Sequence, residues 1–129
     1  MKKILFTLLL VLGISAAADA QVRFLDSSTD AVRKEAIAQD KLVFIDLYAT
    51  WCGPCRQFGP VFEAVAAGNA DKALFYSVDV DQNPELAGKF GVESIPMVVY
   101  MTPDGEFTST VGYMDEATFA STLASKLPK

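Results

Sequence analysis

Cys52 and Cys55 are the only cysteines in the 129-residue chain, and there is no histidine. They stand three apart in "TWCGPCR" (50–56). A pair so placed could bind metal, staple the chain or carry a redox reaction. A structural zinc site wants four Cys or His ligands, which one copy of this chain cannot supply. Haem attachment wants a histidine straight after the second cysteine, and Arg56 stands there. A Cys–His nucleophile lacks its base. A staple between Cys52 and Cys55 closes a loop too short to add much stability. Dithiol–disulfide exchange is the chemistry left with a mechanism. The Cys52 thiolate attacks a substrate disulfide, Cys55 attacks the mixed disulfide, and an oxidised Cys52–Cys55 bond remains.

That chemistry needs a low-pKa thiolate, and the flanking sequence offers one. "LVFIDLY" (42–48) is nearly continuous in apolar residues and reads as a strand buried on both faces. "RQFGPVFEAVAAG" (56–68) carries Phe58, Phe62 and Val65 at helical spacing. Cys52 then falls at a strand-to-helix junction, where free N–H groups and the helix dipole stabilise an anion. Cys55 lies one turn in and is expected to be the more buried. Pro54 suits an early helical position, and Gly53 leaves room for another backbone. Trp51 reads either as a flat cover beside the sulfurs or as core packing. Asp46 is the one residue out of place in its strand. A carboxylate buried there would have a raised pKa, whereas one at a solvated strand edge would not. Pro60 removes the donor to the Arg56 carbonyl, so a kink is expected.

The remaining elements frame this junction. "VRFLD" (22–26) reads as a first strand, with Val22 and Phe24 on one face. Ser27, Ser28 or Thr29 can cap a helix over 30–40, whose apolar stripe is Val32, Ala36 and Ile37. Strands follow at 73–80 and 96–101, with a short helix over 83–91 between them. "TPDGE" (102–106) turns the chain back into 107–113, and Asp115 can cap a last helix striped by Phe119, Leu123 and Leu127. The order β-α-β-α-β-α-β-β-α predicts an α/β fold: a mixed sheet with helices on both faces.

Lys2 and Lys3, the apolar run 4–14 and Ala18-Asp19-Ala20 have the layout of a signal peptide cleaved after Ala20. The apolar run is too short to span a bilayer. Residues 1–20 are thus expected to be removed, leaving a single domain over 21–129 in a compartment where disulfides persist. The net charge of −5 argues against a nucleic-acid surface.

"FIDLYATWCGPCR" (44–56), "VDVDQNP" (78–84), "GVESIPMVVY" (91–100) and "DGEFTSTVGY" (104–113) together resemble the thioredoxin family, in order and spacing, over roughly residues 22 to 127. The export signal makes the chain similar to periplasmic thioredoxin-like proteins. The resemblance implies the thioredoxin fold and protein-disulfide reductase activity through Cys52 and Cys55, with no metal and no cofactor. It implies that Asp46 assists proton transfer at the buried cysteine. It also implies that Pro96 is cis, and that Ile95, Pro96 and Gly112 flank a substrate groove beside Trp51, Gly53 and Pro54. The implied partners are disulfide-bearing exported proteins and a membrane electron donor of the DsbD type, with the chain a monomer. Gly53-Pro54 resembles the reducing members rather than the oxidising ones. A periplasmic oxidase or isomerase, or a redox-independent binding module, is the alternative. Four positions depart from the family pattern. Ser77 stands where many members carry a lysine near the aspartate, Tyr48 where tryptophan is usual, Met97 where threonine is usual, and Arg56 where lysine is usual.

Overall fold

The computed structural model describes residues 22–26 and 28–128. The expected signal peptide and the Ser27 cap lie outside the described residues. The elements are β1 (Val22–Phe24), α1 (Asp30–Gln39), β2 (Leu42–Tyr48), α2 (Gly53–Gly68), β3 (Ala73–Asp79), α3 (Pro84–Lys89), β4 (Met97–Met101), β5 (Phe107–Val111) and α4 (Glu116–Lys126). This is the expected order. The sheet runs β1-β3-β2-β4-β5, with β1 and β2 parallel to β3 and with β4 antiparallel to both β2 and β5. No helix of the described residues is long and apolar enough to cross a membrane.

The uninterrupted apolar run of β2 places it at the centre of the sheet, where alternate side chains feed two cores. Val43, Ile45 and Leu47 pack with Val32 and Ala36 of α1 and Leu86 of α3. Phe44 packs on the other face with Phe58, Phe62 and Val65 of α2 and Phe119 and Leu123 of α4. On that face aromatic rings hold the two helices against the sheet. Phe58 meets Phe119 at 5.3 Å between centroids, Phe62 meets Phe119 at 5.5 Å, and Phe62 meets Phe75 at 5.8 Å. Edge-to-face and offset pairs of this kind add to simple area burial.

Two large apolar side chains at the margins face solvent. Phe24 is 78% exposed and Ile37 60% exposed. Phe24 sits on the sheet's three-residue edge strand, where no further strand covers it. In α1 the buried stripe is Val32 and Ala36 alone, and Ile37 turns past it into solvent. The caps divide in the same way. Asp115 accepts from the Thr118 N–H (2.8 Å), as its position predicts. At α1, Thr29 occupies the cap position without a side-chain bond, and Ser28 Oγ instead accepts from the Asp30 N–H at 3.2 Å. The last helix carries Phe119 and Leu123 fully buried, with Leu127 partly buried against the same core.

Candidate redox site at the start of α2

β2 ends at Tyr48, and α2 begins at Gly53, three residues earlier than the apolar spacing alone suggests. Cys52 is the N-cap of α2, in extended conformation. Its Sγ accepts from the Cys55 N–H at 3.2 Å, one of the free donors of the first helical turn. Pro54 occupies that first turn, where its missing N–H costs no helical bond. Cys52 and Cys55 form a disulfide across a Cα–Cα separation of 5.2 Å. A Cβ built on Gly53 would meet nothing within 4 Å, so the backbone beside the sulfurs is open to an approaching chain. α2 runs unbroken through Pro60, which lies on its exposed side, where water can serve the Arg56 carbonyl.

The two sulfurs differ in their neighbours more than in their exposure. Both cysteines are buried, Cys52 at 6% and Cys55 at 4% exposed, so the expected contrast in burial is slight. Cys52 Sγ lies 3.9 Å from the carbonyl oxygen of Ile95. The Ile95–Pro96 bond is cis. Gly112 donates its N–H to the Pro96 carbonyl at 2.8 Å and has φ +105°, a conformation that calls for glycine. Ile95, Pro96 and Gly112 therefore meet at one edge of the disulfide. Cys55, by contrast, lines a cleft that it shares with Asp46.

Asp46 is 3% exposed and its Oδ1 has no protein hydrogen-bond partner. Burial, and then the nearby charge of Glu63, push its carboxyl up to about 7. The reading of Asp46 as a solvated strand-edge carboxylate therefore fails, because β2 is central and both its flanks are paired. Ser77 is its register partner on β3, which places the substituted position directly alongside the carboxylate.

Trp51 is not in the core. It is 67% exposed and its indole N–H donates to Asp81 Oδ2 at 2.7 Å, so the core-packing reading of this side chain fails. Two features of the site went unread in the sequence. One is that Asp81 tether. The other is Glu63, which follows Cys55 and Gly59 at successive spacings of four and so shares their face of α2. Among the described residues no group of three or more Cys, Asp or Glu side chains could hold a metal ion.

Comparison with known proteins converges on one family. The Thioredoxin family model matches residues 25–125. A thioredoxin of Alicyclobacillus acidocaldarius is 38% identical over 99 residues, which cover 77% of this chain and 94% of that protein. A thioredoxin of Listeria monocytogenes is 42% identical over 86 residues, 66% of this chain and 82% of the relative. The crystal structure of a Malassezia sympodialis thioredoxin superposes with a TM-score of 0.70 at 34% identity, covering 81% of this chain and 90% of the other.

Proposed function

Because the chain belongs to the thioredoxin family and is a thiol-disulfide oxidoreductase with a Cys52–Cys55 pair, we propose that it works as an exported reductant of protein disulfides. The observation that carries the direction of electron flow is the surroundings of Cys52. It packs with Ala49, Cys55, Tyr48, Val80 and Ile95, and the donor at its sulfur is one backbone N–H. A strongly oxidising pair needs a strongly stabilised reduced form. This environment lends the Cys52 thiolate only the helix terminus, enough for nucleophilic attack while the dithiol stays willing to give up its electrons.

In the reaction, a substrate segment lies extended against Ile95, Pro96 and Gly112, with Gly53 leaving its backbone room and Trp51 at the rim. The Cys52 thiolate attacks the nearer substrate sulfur and displaces the other as a thiolate. Cys55 loses its proton to Asp46 and attacks Cys52. The second substrate thiolate leaves, and the electron pair of the dithiol has passed to the substrate. Regeneration in an oxidising compartment calls for a membrane donor of the DsbD type. Export is supported by the layout of residues 1–20, with processing after Ala20.

Two measurements test this reading. Wild type should reduce insulin disulfides in the presence of dithiothreitol, and Cys52→Ser should not. The equilibrium potential of the pair should lie well below about −180 mV, where protein disulfide isomerase works. A potential at or above that value would assign the pair to oxidation or isomerisation instead. For export, the mature protein recovered from the periplasm of an expressing cell should begin at Gln21.

A further inference from the structure

A cleft of about 360 Å³ runs between α2 and the β1–β3 edge of the sheet. Its lining joins buried residues, among them Asp46, Cys55 and Ser77, to exposed ones that include Phe24, Arg56 and Glu63. It therefore leads from the surface to a buried carboxyl that lines the same cleft as the second cysteine. Two small residues leave the space. Gly59 stands on α2 between Cys55 and Glu63, and a Cβ placed there would meet nothing within 4 Å. Ser77 stands on β3 beside Asp46. At the inner end is a buried carboxyl oxygen with no protein partner. The walls are mostly apolar, and the Asp46 carboxyl and the Ser77 and Tyr48 hydroxyls are polar groups that a water or small polar molecule entering the cleft would meet.

We propose that this cleft is the proton port of the redox reaction, and that Glu63 at its mouth is a positioning residue that governs when Asp46 holds and releases the Cys55 proton. The proposal rests on Asp46 taking that proton in the reaction given above. In the resolving step the Cys55 S–H bond breaks and its proton passes to the Asp46 carboxylate. A Cys55–Cys52 bond forms as the Cys52–substrate bond breaks, and the substrate leaves as a thiolate. Asp46 then returns the proton through the cleft to bulk water. The dithiol is oxidised by two electrons and the substrate disulfide is reduced by two. Without the port, each turnover would strand a proton on a buried acid.

Glu63 is suited to this control by its charge and its place. Of the charged groups around Asp46, it is the one whose field raises the proton affinity of the carboxyl, adding to the larger effect of burial. Arg56, also on α2, lines the same cleft with the opposite charge. From β2, Tyr48 lines the cleft with its phenol held above the ordinary value by burial, Asp79 and Asp46, so it stays neutral beside them. The β3 partner Ser77 and the β4 partner Val98 bring no charge, and β1 contributes only Val22 and Phe24.

The port and Glu63 are tested separately from the direction of electron flow. In the oxidised protein, the Asp46 carboxyl is titrated by carbon-13 NMR. Glu63→Gln should lower the midpoint by about half a unit or more, with Glu63→Asp retaining most of the wild-type value. Added salt should move wild type toward the Gln variant. In the second arm, reduced Asp46→Ala is oxidised by excess cystamine at pH 7. Imidazole, a small base that fits the cleft, should speed the resolving step in proportion to its neutral form. Introducing Ser77→Leu into Asp46→Ala should abolish that acceleration. An unshifted midpoint in Glu63→Gln would overturn the role of Glu63. An Asp46→Ala protein that imidazole leaves unaffected, or one accelerated equally with Leu at 77, would overturn the port. Neither readout depends on the protein's potential, so an oxidising potential would sink the reductase reading and leave this inference standing.

Discussion

Glu35 on α1 and Asp46 on β2 serve opposite faces of the sheet. The Glu35 carboxylate accepts from Arg23 Nη2 at 2.8 and 2.9 Å, from the Tyr76 hydroxyl at 2.9 Å and from Gln39 Nε2 at 3.0 Å. The Arg23 guanidinium also donates to the Tyr76 hydroxyl and stacks over its ring at 4.9 Å. Burial by itself would raise the Glu35 carboxyl, but the bonds from Tyr76 and Arg23 outweigh it and hold it below its ordinary value. This cluster ties the short β1 to α1 and β3. Asp46 is more deeply buried and has one oxygen without a partner, and its carboxyl rises instead of falling. A satisfied carboxylate stabilises the fold. An unsatisfied one costs stability, and this one lines the same cleft as Cys55.

The sharpest way to break this contrast is Asp46→Asn. The wild-type carboxyl titrates at about 7 in the folded chain, against about 3.9 when unfolded. The folded state therefore holds a proton that the unfolded state has released between those values. Wild type loses stability as pH rises through that window, by about 4 kcal/mol in full, and the loss is complete above the folded value. Asn cannot ionise and escapes it. Urea midpoints should show the variant gaining on wild type from pH 4 to 8, while its disulfide exchange slows. A stability profile parallel to wild type would mean that Asp46 is not the buried acid described.

Next in size is Ser77→Lys. A cation delivered into the cleft should give Asp46 the kind of partner that Glu35 already has, lowering its NMR titration midpoint by about one to three units. Smaller again is Glu35→Ala. Loss of the hydrogen-bond cluster should cost about 1 kcal/mol near neutral pH. The sign of its pH dependence is opposite to that of Asp46. A depressed carboxyl stabilises above its unfolded value and loses that contribution as pH falls through the folded one, so wild type and variant should converge in acid. The smallest effect is expected from Trp51→Phe, which removes an exposed bond to Asp81 and should move the unfolding midpoint by less than about 0.5 kcal/mol. A large loss there would mean that Trp51 supports the fold as well as the rim.

Much of the fold was legible because it is written in short-range patterns. β2 spans the residues its apolar run indicates, the Asp115 cap forms, and the Asp104-Gly105 turn returns the chain into β5 with Gly105 at φ +96°. What escaped depended on position in the sheet. Phe24 looks like a core residue in isolation and is exposed because β1 is an edge. Trp51 looks like cover or core and is held outward by Asp81, thirty residues away. The Arg23–Glu35–Tyr76 cluster joins three elements whose side chains have no sequence relation.

The reaction chemistry can be read from residue types and spacing. Two cysteines without a histidine, spaced by glycine and proline between an apolar strand and a helix, leave dithiol exchange as the reaction with a mechanism, and "FIDLYATWCGPCR" carries the family resemblance. It also marked Asp46, since a carboxyl in a doubly buried strand is costly wherever that strand lies. The surroundings of that carboxyl came from packing. Register set Ser77 beside it, helix packing brought Glu63 and Cys55 to the same cleft, and the edge position of β1 left that cleft open. The two kinds of information differ in range. Local propensity and apolar period act over a few residues, whereas the field and solvation of a buried acid are set by every element packed against it.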